Sequence, residues 1–215
     1  MRLGTRLRAK WALRGLDFEL QLRNERDKEI MAEIFSRRCY EPRLPTTATR
    51  VLDLGANVGL FSAYALMKLG AEEIVAVEPD PDNLRALRRV VTRNGFPVHI
   101  VEAFAGTAEG YVEFEAGLAA NSRLAGPDSR QDAIITVPVI DTFTLGSFDL
   151  AKIDIEGGEW QLLADGRFPD LAPNIVMEWH HRGRGELDID GALQAHGYTV
   201  EHVDQWLVWA RRPAR

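Results

Sequence analysis

The sequence predicts an α/β fold, a doubly wound and mostly parallel sheet in a single domain. Three observations carry that reading. Arg50-Val51-Leu52-Asp53-Leu54 is an apolar run with one embedded acid, as a buried parallel strand would be. It breaks at Gly55-Ala56-Asn57-Val58-Gly59 into a helical stretch from Leu60 to Leu69, stopped by Gly70. A second apolar run, Ile74 to Val77, ends in Glu78 about 20 residues past the turn, where a carboxylate can meet a ribose. Such a strand, turn and helix opening brings backbone N–H groups and a positive helix end against a ligand.

The 215 residues suffice for one such domain. With 26 basic against 32 acidic side chains, the net charge of -6 argues against a nucleic-acid partner bound by phosphate neutralisation. Arg211, Arg212 and Arg215 are terminal and read as a solvated tail. No apolar run approaches a membrane span and no leader-like apolar stretch follows the N-terminus, so no membrane partner is expected. The lone Cys39 has no internal partner and suits a reducing, cytoplasmic setting as an ordinary structural residue.

In chain order, residues 1–45 carry no strand signal. Ile30, Met31, Ile34 and Phe35 recur at helical spacing, and Pro42 ends that helix. After Glu78, Asp80 is a natural N-cap with Pro81 at the first helical position; Leu84, Leu87 and Val91 share a face, and Asn94-Gly95 closes the helix. Val98 to Val101 is a third strand with Glu102 and Ala103 at its end. Tyr111 to Glu115 alternates like a short edge strand. Gly117 to Arg130 has few apolar anchors and reads either as a mobile flap near a substrate or as disorder. Pro138 confines Thr136 to Ile140 to a short or edge strand, with Asp141 capping the next turn.

Two later strands carry charge. In Phe148 to Trp160, Lys152 and Asp154 share one face while Ile153 and Ile155 take the other. A lysine inside a two-sided sheet is costly unless paired, so a polar pocket is expected at that strand's end. Glu178 and His180 repeat the arrangement in Pro173 to His180. If the two strands are neighbours, the four side chains form one cluster at the carboxyl edge, where open α/β sheets bind ligands. A helix from Ile189 to His196 and a terminal hairpin, Tyr198 to Val203 and Trp206 to Ala210, complete the chain.

The dinucleotide fingerprint is not met, because Asn57 and Leu60 stand where its second and third glycines belong. The Asp-x-Gly-x-Asn-x-Gly turn followed by strand and Glu78 instead resembles the first motif of class I S-adenosylmethionine-dependent methyltransferases. With Val77-Glu78-Pro79 and Lys152-Ile153-Asp154-Ile155-Glu156-Gly157-Gly158-Glu159, it resembles the FkbM-type family over roughly Arg50 to His180. That resemblance implies a Rossmann-like seven-stranded sheet with a C-terminal antiparallel hairpin. It divides the chain into a helical lid segment, 1–45, and a methyltransferase domain, 46–215. Arg23, Asn24 and Tyr40 of the lid become candidate substrate contacts.

The resemblance also implies O-methylation of a hydroxyl on a sugar or polyketide-type natural product in bacteria. Asp53, Gly55, Asn57 and Gly59 would surround the methionine part of S-adenosylmethionine, with Phe61, Pro79 and Asp154 also in the cofactor set. Glu78 would hold the ribose and Glu102 the adenine. The catalytic candidates are His180, Asp154, Lys152 and Glu178. His180 is the preferred base because a neutral imidazole matches working pH, with Asp154 its competitor; the plain alternative is a strand-end histidine satisfied by Glu178. A divalent metal is compatible with Asp154, Glu156, Glu159, Glu178 and His180, but their spacing is no recognised signature and none is expected. His99, His181, His196 and His202 look peripheral. An N-methyltransferase of an amine or amide, and a cofactor-binding protein without catalysis, are the rival functions. Acceptor identity and oligomeric state are not legible.

Overall fold

The structure is a computed structural model; it describes residues 8–13, 16–21, 25–36, 44–118, 121–180 and 188–213. Among the described residues, thirteen strands fall into three sheets. The main sheet is built from β3 (Arg50–Leu54), β4 (Glu73–Val77), β5 (Val98–Val101), β10 (Leu150–Ile153), β11 (Asn174–Glu178), β12 (Thr199–His202) and β13 (Leu207–Arg211). Their order is β12-β13-β11-β10-β3-β4-β5. All neighbours from β5 to β11 pair in parallel, and β13 alone runs against the rest. The expected seven-stranded sheet with a terminal antiparallel hairpin is therefore present. From β3 the chain first winds to β4 and β5, then crosses back to β10. The switch point lies between β3 and β10, whose register sets Asp53 opposite Lys152.

Alternation along these strands divides the core. Leu52, Leu54, Ala151, Ile153, Ile175 and Met177 pack on one face with Trp160 and Leu162 of α4 (Glu159–Ala164). Val51, Leu150 and Val176 pack on the other, with Phe61 and Tyr64 of α2 (Leu60–Tyr64, continued by a wider turn over Ala65–Leu69). Ile34 and Phe35, just beyond α1 (Glu25–Met31), join that second face. Helix α3 (Pro81–Asn94) begins and ends as its caps predict: Asp80 accepts from the Asp82 and Asn83 N–H groups, and Gly95 adopts φ 62°. No helix among the described residues is long and apolar enough to cross a membrane.

Two expectations need correction. The stretch before the main sheet is not purely helical, because β1 (Arg8–Leu13) and β2 (Leu16–Gln21) pair as an antiparallel hairpin. Its signal was local: Leu16, Phe18 and Leu20 alternate with Asp17, Glu19 and Gln21. The second concerns residues 104–141, which form a separate sheet of β6 (Phe104–Gly106), β9 (Ile134–Asp141), β7 (Gly110–Glu115) and β8 (Arg123–Leu124), in that order. β9 is thus an eight-residue strand between β6 and β7, not a short edge. Pro138 is tolerated because it faces Tyr111 one residue before the β6 pairing starts at Val139.

Candidate active site

A cavity of about 390 Å³ opens over the carboxyl ends of β3, β4, β10 and β11. Its floor is the glycine turn. Gly55 holds φ 72°, and a Cβ there would sit 1.7 Å from the Asp154 carbonyl oxygen, so no side chain fits at the switch point. Asn57 is also left-handed, at φ 52°, a conformation asparagine tolerates. The first amides of the turn do not face the ligand space as expected. Gly55 and Ala56 both donate to the Val77 carbonyl at 3.0 Å, and Asn57 donates to Glu78 Oε2 at 2.8 Å. The turn is thereby stitched to the end of β4.

Glu78 is buried on the cavity wall and already well supplied with donors. Its Oε1 accepts from the Asp80 N–H at 2.9 Å and Asn83 Nδ2 at 3.2 Å, and its Oε2 from Asn57. A carboxylate accepts about four bonds, which leaves about one direction toward the cavity. Burial pushes its pKa up to about 7, against the pull of those donors.

Lys152 is tied down rather than free for chemistry. Its Nζ donates to the Gly55 carbonyl at 2.8 Å and that of Leu54 at 3.3 Å, and lies 3.3 Å from Asp154 and 3.7 Å from Asp53. Burial alone would lower its pKa, but Asp154 and Asp53 outweigh it and hold the ammonium above its usual range. Asp53 is fully buried beneath the turn, takes the Ser62 hydroxyl at 2.6 Å, and lies off the cavity wall. Burial raises its carboxyl, opposed by Lys152 and Ser62. Asp53 therefore shapes the turn from behind, while Lys152, which also lines the cavity, ties the turn to β10.

The second turn, after β10, is organised by Glu159. Glu156 is left-handed at φ 54°, as is Gly157 at φ 115°, a strained pair of the kind found at working sites. Buried Glu159 accepts from the Ile155 N–H at 3.1 Å and the Gly157 N–H at 3.0 Å, and its Oε1 lies 3.0 Å from His180 Nδ1. His180 Nε2 lies 3.6 Å from Glu156 and 3.9 Å from Glu178. Burial would lower the imidazole pKa, but the Glu159 bond and the surrounding acids carry it up to about 9. The neutral imidazole expected at this strand end is therefore a cation, and it stands off the cavity wall. Glu178 does reach the wall beside Asp154; burial, then Asp154, push it up to about 7.

The remaining candidates divide clearly. Phe61 and Pro79 line the cavity, whereas Gly59, at φ 84°, packs against Leu87 behind it. Glu102 points outward to an ion pair with Arg88, and Ala103 and Phe104 form the wall in its place. Arg23, Asn24, Cys39, Tyr40 and His181 lie outside the described residues. His196 and His202 are peripheral, bonded to the Leu163 carbonyl and to Asp190. Wall residues that the sequence reading missed include Asn83, Phe114, Ser122 and Trp206. Only Asn83 had a local signal, three residues after the cap Asp80. Among the described residues, Asp154, Glu178 and His180 have ligand atoms within 4.8 Å of one another and could hold a metal ion, although Lys152 already places positive charge beside Asp154.

A sheet of this strand order with β13 reversed, and an acid closing β4 over a glycine turn, defines an S-adenosylmethionine-dependent methyltransferase. The cavity fits that cofactor: Gly55 leaves the floor open, and buried Glu78 retains an acceptor for a hydroxyl. Residues 53–211 match the methyltransferase FkbM domain, and the chain belongs to that family. It is 26% identical to methyltransferase sdnD of Sordaria araneosa, over 80% of this chain and 82% of that protein. It is 23% identical to methyltransferase 1 of Beauveria bassiana, over 80% of each. The crystal structure of methyltransferase FkbM from Methylobacillus flagellatus superposes with a TM-score of 0.55 at 21% identity, covering 84% of this chain. The chain spans about half of that structure, 47% of its length.

Proposed function

We propose that the protein transfers a methyl group from S-adenosylmethionine to a hydroxyl of a small molecule, of the sugar or polyketide type, with Glu178 as the base. The observation that carries this reading is the placement of Glu178 on the cavity wall beside Asp154, with a pKa near working pH. The preferred base of the sequence reading, His180, is already protonated and serves instead to hold Glu156 and Glu178 by charge. Asp154, paired with Lys152, orients the acceptor. The bound cofactor supplies an electrophilic methyl carbon whose bonding pair stays with sulfur. Glu78 and the glycine turn hold the nucleoside and amino-acid ends, and the α1 side chains Arg26 and Ile30, with Glu33 and Ile34 just beyond, face the cavity as part of a lid. The setting is cytoplasmic, which suits the lone Cys39.

Alignment of oxygen, methyl and sulfur is worth roughly 7–11 kcal/mol. General-base help is typically about 10²–10⁴-fold. Glu178→Gln should therefore cripple turnover by about 10²–10⁴-fold without ending it, while affinity for S-adenosylhomocysteine stays near wild type. The wild-type rate should climb as pH rises through about 7, because only the deprotonated carboxylate accepts the proton, and the variant should lose that inflection. Mass spectrometry for a 14-dalton (about one CH₂) gain on hydroxylated acceptors reads both. Undiminished turnover in the variant removes Glu178 from the role. A chelator should leave the rate unchanged, since Lys152 on the cavity lining already places positive charge beside Asp154. A second reading, N-methylation, is favoured by Trp206, exposed and lining the same cavity as Asp204 and Glu178, as a face for a cation. Matched alcohol and amine acceptors distinguish the two.

A further inference from the structure

We propose that Asp80 is a positioning residue that clamps the turn carrying Gly117, Leu118 and Ser122 against the nucleoside end of the cavity, so that cofactor binding and closure of this wall are one event. The proposal rests on the S-adenosylmethionine reading and adds a second sheet to its nucleoside site. Asp80 is fully buried and uses both carboxylate oxygens. Its Oδ1 caps α3, accepting from the Asp82 N–H at 2.7 Å and the Asn83 N–H at 3.3 Å. Its Oδ2 accepts from the Ser122 hydroxyl at 2.6 Å and the Gly117 N–H at 2.7 Å, from a segment 37–42 residues away. The Asp80 N–H meanwhile donates to Glu78 Oε1. A serine or asparagine would cap the helix as well but offers one acceptor oxygen, so the carboxylate here has a second duty.

Ser122 stands on the cavity wall itself, and its Oγ also accepts from the Leu118 N–H at 3.0 Å. Around it, Pro79, Ala103, Phe104 and Phe114 make an apolar slot beside Glu78, a surface that suits a purine face next to a ribose. The far side of the loop is held separately: buried Glu115 accepts from the Arg130 N–H at 3.0 Å and pairs with Arg123 at 3.0 Å. The loop expected to be a mobile flap or disordered is thus tied at both ends, and among its described residues the Asp80 end touches the cofactor side. Helix start, ribose acid and wall are joined through this one residue.

Ser122→Ala removes the clamp's hydroxyl while leaving the α3 cap intact. Titration calorimetry should show S-adenosylhomocysteine binding about tenfold weaker or more in Ser122→Ala, the loss of one hydrogen bond to a carboxylate, and restored in Ser122→Thr. Trypsin cleavage at Arg123 and Arg130, measured with and without S-adenosylhomocysteine, supplies the readout that a merely structural role would not move. The ligand should slow cleavage in the wild type and in Ser122→Thr, and no longer do so in Ser122→Ala. Binding within about twofold of wild type, or ligand protection of the loop surviving in Ser122→Ala, overturns the clamp. A wild-type protein that binds no S-adenosylhomocysteine overturns the cofactor reading beneath it and is distinguished by that alone.

Discussion

Glu78→Gln should weaken S-adenosylhomocysteine binding by about a hundredfold or more. Bonds to a charged group are worth about 1.5–3 kcal/mol each, and the amide loses the charge while turning an N–H₂ toward the donors of Asn57 or of Asp80 and Asn83. A loss of about 3 kcal/mol is roughly 150-fold in affinity. The pH dependence is a second signature. A ribose hydroxyl favours the ionised carboxylate, so wild-type affinity should rise with pH and level off above about 7, where Glu78 is already deprotonated. Stability of the unliganded protein should move oppositely. A carboxyl raised on folding from 4.5 to about 7 contributes fully below the lower value, and that contribution fades as pH rises to 7. Thermal melts from pH 4.5 to 8 with and without ligand should show both trends, flattened in the variant. A Glu78→Gln protein with wild-type affinity would falsify the ribose assignment.

Lys152→Met should cost about 3–5 kcal/mol of stability, because it strands the Asp53 carboxylate, fully buried and left with Ser62 alone. For a chain of this size that corresponds to a melting temperature lower by about 6–20 °C. The Gly55 carbonyl also loses its donor, so the floor of the cavity should loosen and cofactor affinity fall with stability. Adding Asp53→Asn should recover much of the loss, since the double variant buries no lone charge. Urea unfolding of the two single variants and the double closes that cycle. Equal stability of wild type and Lys152→Met would mean that the buried triad with Asp154 has no structural role.

Features that follow from a few neighbouring residues were legible in the sequence. The turn of Gly55, Asn57 and Gly59 announces itself because left-handed backbone admits few residue types, and all three are left-handed. Asp80 and Pro81 mark the start of α3 for equally local reasons. The charged faces of β10 and β11 follow from strand alternation, and those strands are indeed neighbours. The hairpin of β1 and β2 had a local signal as well, in the alternation from Leu16 to Gln21, but it was not read as strand.

Other features depend on partners far along the chain. Glu102 sits at the end of a strand pointing at the site, yet Arg88 on α3 draws it outward. His180 reads as a neutral base until Glu159 at the start of α4 and Glu156 of the turn after β10 converge on it and carry its pKa up to about 9. Nothing near Gly117 to Arg130 hints that Asp80 and Glu115 would anchor it, or that residues 104–141 close into a sheet of their own.

The sequence by itself determined the sheet, the glycine turn and the acid that follows it, because periodicity and glycine chemistry act within about a dozen residues. Only the tertiary structure decided which charges face the cavity, which are protonated, and what walls the nucleoside end. Burial and the approach of distant charges set those properties, and neither has any expression in the order of residues along a strand.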